Sequence, residues 1–141
     1  MKEYQHILFA TDFARDSKAI SEKACEIADK YAAKLSAIHV VESIPEPSIG
    51  YMMLPDIEYK LIEDSKITLA KIGTQLNIAP ENQFVEVGSP KSVIIETAVK
   101  NHVDLIVVGS HGHHGWALLL GSTAASILHA AYCDVLIVKL K

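Results

Sequence analysis

Apolar positions along the chain recur at two alternating periods. Gln5-His-Ile-Leu-Phe-Ala10 is a short apolar run ended by Thr11-Asp12, the pattern of a buried parallel strand. Ile20, Ala24, Ile27, Ala28 and Tyr31 then fall at helical spacing, which predicts a helix capped by Asp16 or Ser17. Lys34-Leu-Ser-Ala-Ile-His-Val-Val41 predicts a second strand. Glu42 to Pro55, broken by three prolines and Gly50, reads as a long surface loop.

From Asp56 to Leu76 the positions Ile57, Leu61, Ile62, Leu69, Ile72 and Leu76 mark an amphipathic helix that stops before Asn77 and Pro80. Gln83 to Val87 is a half-polar third strand. Gly88-Ser89-Pro90 predicts a tight turn, a capping hydroxyl and a proline at the first helical position, with Val93, Ile94, Ala98 and Val99 as the buried stripe that follows. Asp104 to Val108, the most apolar strand, belongs in the sheet interior. Ser122 to Tyr132 predicts a final helix and Asp134 to Lys139 a fifth strand. Strands alternating with helices throughout predict an α/β fold with a doubly wound parallel sheet, since parallel neighbours need crossovers that pack on both faces. Ligands of such sheets sit beyond the carboxyl ends of the strands, where strand order reverses. Thr11-Asp12, Val40-Val41 and the segment from Gly109 to Thr123 are therefore the places to look for chemistry.

Composition narrows the classes. A chain of 141 residues, half of them hydrophobic and 21% charged, has the material for a single globular domain over 1–141. A net charge of −4 argues against a general phosphate-backbone surface, so nucleic acid is not an expected partner. No stretch approaches the roughly 18 apolar residues of a membrane helix, and the first residues lack a signal-peptide pattern. Cys25 and Cys133 are expected to be inert buried thiols, and a reducing, cytoplasmic location is the expectation.

The segment Gly109-Ser-His-Gly112-His-His-Gly115-Trp-Ala-Leu-Leu-Leu-Gly121-Ser122-Thr123 leaves the most apolar strand and opens a helix. Glycines admit close approach of an anion, and helix N-terminal amides with Ser/Thr hydroxyls supply donors. The lysine-bearing Walker pattern and the dinucleotide Gly-x-Gly-x-x-Gly pattern are both missing, so a glycine-rich turn before an ordinary helix is the competing reading. His111, His113 and His114 invite a zinc reading, but adjacent histidines point apart and no cysteine or carboxylate stands at ligand spacing; no metal site is expected. His39, between Ile38 and Val40, is read as a hydrogen-bonded structural histidine. For Trp116 and Leu118 to Leu120, packing on the sheet is favoured over covering a ligand or facing a partner, and Ser110 beside His111 does not make a nucleophile and base, so no catalytic residue is assigned.

His6-Ile-Leu-Phe-Ala-Thr-Asp-Phe13, Leu35-Ser-Ala-Ile-His-Val40 and Val103-Asp-Leu-Ile-Val-Val-Gly-Ser-His-Gly112 together resemble the universal stress protein family along essentially the whole chain. The resemblance implies a Rossmann-like, five-stranded parallel sheet in the order 3-2-1-4-5, of the adenine nucleotide α-hydrolase-like type. It also implies a dimer and, often, an adenine nucleotide (ATP, ADP or AMP) at the ends of strands one and four. Strand five, if an edge, presents the apolar Val135-Leu-Ile-Val138, which pairing with its symmetry mate in a homodimer would cover, and Mg²⁺ is the cation that a carboxylate and phosphate oxygens would hold together. Nucleotide-binding members are similar in carrying Gly-x2-Gly-x9-Gly-Ser/Thr. Here Gly109-x2-Gly112 is kept, but only eight residues separate Gly112 from Gly121.

Position by position, the resemblance puts Ala10, Thr11 and Asp12 beside the nucleotide and Val40 against adenine through its backbone. Gly109, Gly112, Gly121, Ser122 and Thr123 fall around the phosphates, and His111 is read from its place in the loop as ordering it or meeting phosphate. A carboxylate near phosphates needs a ribose hydroxyl or a cation to justify it, and capping the first helix is the alternative for Asp12. The function expected is a cytoplasmic regulatory dimer responding to nucleotide in a stress response. Two rivals stand beside it: a nucleotide-free dimeric scaffold, favoured by the shortened loop, and a weak Mg²⁺-dependent ATPase.

Overall fold

The computed structural model describes residues 3–42, 54–110 and 121–140. Five strands, β1 (His6–Ala10), β2 (Lys34–Val41), β3 (Gln83–Val87), β4 (Leu105–Gly109) and β5 (Asp134–Val138), form one sheet in the order β3-β2-β1-β4-β5, every pairing parallel. Between them run α1 (Ser17–Tyr31), α2 (Leu54–Leu76), α3 (Pro90–Lys100) and α4 (Ser122–Ala130), and a single 3-10 turn over Pro80–Asn82 precedes β3. The expected strand order and fold class hold. Most of the loop expected over Glu42–Pro55 lies outside the described residues, and α2 already begins at Leu54, two positions before the expected Asp56.

The pleat sorts the interior strands onto two cores. Ile7, Phe9, Ala37, Leu105 and Val107 pack with Ile20, Ala24 and Ala28 of α1 and Leu69 of α2. Their neighbours Leu8, Ile38, Ile106 and Val108 face the other way, onto Ile94 and Ala98 of α3 and Ala124 and Ile127 of α4. Strands buried on both faces must be apolar at successive positions, and β1 and β4 are.

Some expected local details differ. Asp16 and Ser89 occupy the caps of α1 and α3, yet neither side chain bonds the helix amides. Asp12 instead organises the entry to α1: its Oδ1 accepts from the Ala14 N–H at 2.9 Å and from the Ser17 hydroxyl at 2.5 Å. Leu61 and Val99, read as core-facing, are 41% and 55% exposed, and on α3 it is Ala98, about 100° around the helix from Val99, that is buried. The last helix ends at Ala130 rather than Tyr132, which is 90% exposed. Gly88 has φ +148° and leaves the room that Val93 fills, so the turn after β3 does require glycine.

The lower end of the sheet is closed by a polar network. Asp104 accepts from the N–H groups of Gln5 and His6. His6 is buried, with Nδ1 2.9 Å from the Asn101 carbonyl and Nε2 2.6 Å from Ser36 Oγ. A carbonyl only accepts, so Nδ1 carries the proton and Nε2 accepts from the Ser36 hydroxyl in a neutral ring. Burial accordingly pushes the imidazole below its ordinary pKa, and Lys34 adds to this against the opposing Asn101 carbonyl and Asp104.

Candidate functional site

β1 hydrogen-bonds both β2 and β4. The chain leaves β1 for α1, against one face of the sheet, and leaves β4 toward α4, against the other. The divergence opens a cleft of about 450 Å³ over the carboxyl ends of the strands. Of the residues expected at a ligand, Ala10, Thr11, Asp12, Val40, Gly109, Gly121, Ser122 and Thr123 all line it. His111 and Gly112 lie outside the described residues, as do His113, His114 and the run from Trp116 to Leu120.

The wall on the α4 side is anchored by Ser110. Its N–H donates to the Val138 carbonyl at 2.8 Å, its hydroxyl accepts the Leu140 N–H at 2.9 Å, and its carbonyl accepts the Gly121 N–H at 2.6 Å. The chain thus departs after Ser110 and is back, one hydrogen bond away, at Gly121. These bonds give Ser110 a structural role at the cleft wall. Gly121 caps α4 in an extended conformation, and the first bond of the helix runs from the Ala125 N–H to the Gly121 carbonyl. The amides of Ser122, Thr123 and Ala124 therefore have no acceptor within the helix, and all three residues line the cleft. Such an end attracts anions through its amides and its dipole.

Gly109 answers to a different need. A Cβ built there would sit 2.6 Å from Leu140 Cδ1 and 2.8 Å from Ile20 Cδ1, so packing between α1 and Leu140 disfavours a side chain here whether or not a ligand is bound. The opposite wall carries Asp12, His39 and Glu42. His39, placed in a strand interior from sequence, does make a structural bond: its Nδ1 lies 2.7 Å from the Thr11 carbonyl. Sequence reasoning missed that it also borders the cleft, for which its position at the carboxyl end of β2 was the available signal. Among the described residues lining the cleft, the charged ones are Asp12 and Glu42. No group of three metal-ligating side chains occurs among the described residues. Cys25 and Cys133 are half-buried rather than buried and are not in a disulfide; burial and Asp29 raise the Cys25 thiol pKa, which keeps it protonated.

The sequence profile of the universal stress protein family matches residues 3–139. The chain belongs to that family. Among its members, universal stress protein A homolog 2 of Coxiella burnetii is 42% identical over 144 residues, covering 100% of this chain and 99% of the relative. The universal stress protein UspA from Lactobacillus plantarum shares the fold at a TM-score of 0.81 and 23% identity, over 98% of this chain and 99% of that one. A universal stress protein solved in complex with cAMP aligns with a TM-score of 0.64 and 27% identity, over 97% and 98% of the two chains. No helix among the described residues of this family member is long and apolar enough to cross a membrane.

Proposed function

We propose that the cleft binds an adenine nucleotide and that the protein acts as a regulatory dimer whose interactions change with occupancy. One observation carries the reading. Four segments remote in sequence, ending β1, β2 and β4 and beginning α4, converge on one cleft, and the α4 end offers amides and hydroxyls suited to phosphate oxygens. The cAMP complex of a related universal stress protein supports the ligand class. Ala10, Thr11 and Asp12 would border the ribose and Val40 the base, while Gly121, Ser122 and Thr123, with His111 and Gly112, would meet the phosphates. The dimer is assigned to β5, whose apolar Val135-Leu-Ile-Val138 is an edge strand among the described residues, with no strand paired to its outer side there.

Micromolar affinity requires about −8 kcal/mol, to which charge-assisted bonds contribute much only if the backbone reaches the phosphates. Gly121 has φ −63° and ψ 156°, a conformation open to valine. Gly121→Val therefore keeps the fold and abolishes ATP binding in calorimetry, whereas Ser122→Ala weakens it by about 0.5–1.5 kcal/mol, one net hydrogen bond. No heat from ATP, ADP, AMP or cAMP with the wild type would leave the nucleotide-free scaffold. Unaltered binding by Gly121→Val would move the nucleotide elsewhere, and turnover of ATP with Mg²⁺ would favour the weak ATPase.

A further inference from the structure

Phe13, directly after Asp12, has φ +63°, in the left-handed region that an aromatic residue seldom enters. Its N–H donates to Thr11 Oγ1 at 3.0 Å, and its ring stacks on the His39 imidazole, with centroids 4.0 Å apart and planes 22° apart. The same imidazole holds the Thr11 carbonyl. A carbonyl cannot donate, so Nδ1 is the donor whether the ring is neutral or charged. One side chain, His39, thereby grips both ends of the three-residue turn 11–13: the main chain at Thr11 and the ring at Phe13. Asp12 stands between them, with Oδ1 engaged by Ala14 and Ser17, and Thr11, Asp12 and His39 all border the cleft. Backbone held in a sparsely populated conformation by its surroundings, at the rim of a cleft, is a feature with a functional use.

The geometry points to His39 as a positioning residue for ligand binding, which fixes the 11–14 turn and so sets where Thr11 and Asp12 present themselves to the cleft. This inference rests on the reading of the cleft as a nucleotide site. It gives His39 a role beyond sheet structure: the strand β2 determines, through one ring, the conformation of the loop that follows β1.

His39→Leu removes both the donor and the aromatic stack, while His39→Asn returns an N–H close to the place of Nδ1. Two measurements are made on each: calorimetric affinity for ATP and for cAMP, and hydrogen exchange of the Phe13 and Ala14 amides against those of Ile7 to Phe9. With His39→Leu, both affinities are expected to fall about tenfold, the scale of a lost hydrogen bond, and the two turn amides to exchange about tenfold faster while β1 is unchanged. His39→Asn restores affinity to within about threefold of the wild type. Phe13→Ala, which removes the stack from the other side, repeats the test should His39→Leu not fold. A lower melting temperature with unchanged affinities, or turn amides that do not respond, overturns the positioning role. Failure of the wild type to bind any nucleotide overturns the ligand reading instead, and the exchange data then still decide whether His39 holds the turn.

Discussion

Gly109→Ala separates the two reasons a glycine can stand at the start of the Gly109 to Thr123 segment. The added methyl would lie 2.6 Å from Leu140 Cδ1, 2.8 Å from Ile20 Cδ1 and 3.4 Å from Leu140 Cγ. Carbon pairs prefer about 3.5–4.0 Å, so both terminal methyls must retreat by about 1 Å. Both side chains are largely buried, Leu140 4% exposed and Ile20 5%, and the open space they border is the cleft itself. Leu140 is also tethered at its own N–H by Ser110 Oγ, which confines relief to side-chain rotation. Overpacking of this kind costs about 1–3 kcal/mol. Taking about 2 kcal/mol, the folded-to-unfolded ratio drops about 30-fold. Urea denaturation monitored by circular dichroism reads this directly. Leu140→Ala leaves a cavity and destabilises by itself, but the double variant offers the new methyl the vacated space, so its loss should fall short of the sum by at least about 1 kcal/mol. A Gly109→Ala protein within about 0.5 kcal/mol of the wild type, or strict additivity in the double variant, would refute the packing explanation and return Gly109 to the ligand.

Three further outcomes follow from the coordinates. Because burial depresses the His6 pKa in the folded state, the unfolded chain binds more protons at mildly acid pH; stability contributed by His6 is present above about pH 6.5 and lost as pH falls. The stability difference between wild type and His6→Asn should therefore be larger at pH 7.5 than at pH 5.5 in denaturant titrations, and a constant difference would contradict the neutral-ring network. The Tyr4 phenol, which donates to Asp134 Oδ2 at 2.8 Å, is pushed up to about 12, chiefly by that bond; ultraviolet titration should bring it back toward 10 in Asp134→Asn, and no change would assign the shift to another cause. Ile137→Pro removes an edge-strand donor from β5 and should give monomer or insoluble protein, whereas an unchanged dimer in sedimentation would place the interface elsewhere.

The sequence by itself determined the order and type of the five strands and four α-helices described, though not the 3-10 turn over Pro80–Asn82. Runs such as Ile7 to Phe9 and Leu105 to Val108 have no polar face, which only a strand covered on both sides can use, and the helical spacing of Ile20, Ala24 and Ala28 tells where the intervening crossover turns inward. Parallel order and the rule of the switch point then located the cleft at the residues after β1, β2 and β4. Tertiary structure decided everything that depends on which neighbour arrives. Periodicity marks the inward face of α3, but Val99 stays 55% exposed, about 100° around the helix from Ala98, which is buried in the same turn. A Ser or Asp before a helix announces a cap, yet the side chains of Ser89 and Asp16 do not close the bond, and Asp12, for which capping was the alternative reading, holds the Ala14 N–H and the Ser17 hydroxyl at the entry to α1. Gly109 carries a ligand motif in sequence but a packing constraint in space, since Leu140 and Ile20 come from opposite parts of the chain to fill the missing Cβ. The grip of His39 on Thr11 and Phe13 joins residues about 28 positions apart, and no local pattern encodes it; such contacts exist only once parallel pairing of β1 and β2 has set the register that brings Ala10 beside Ile38.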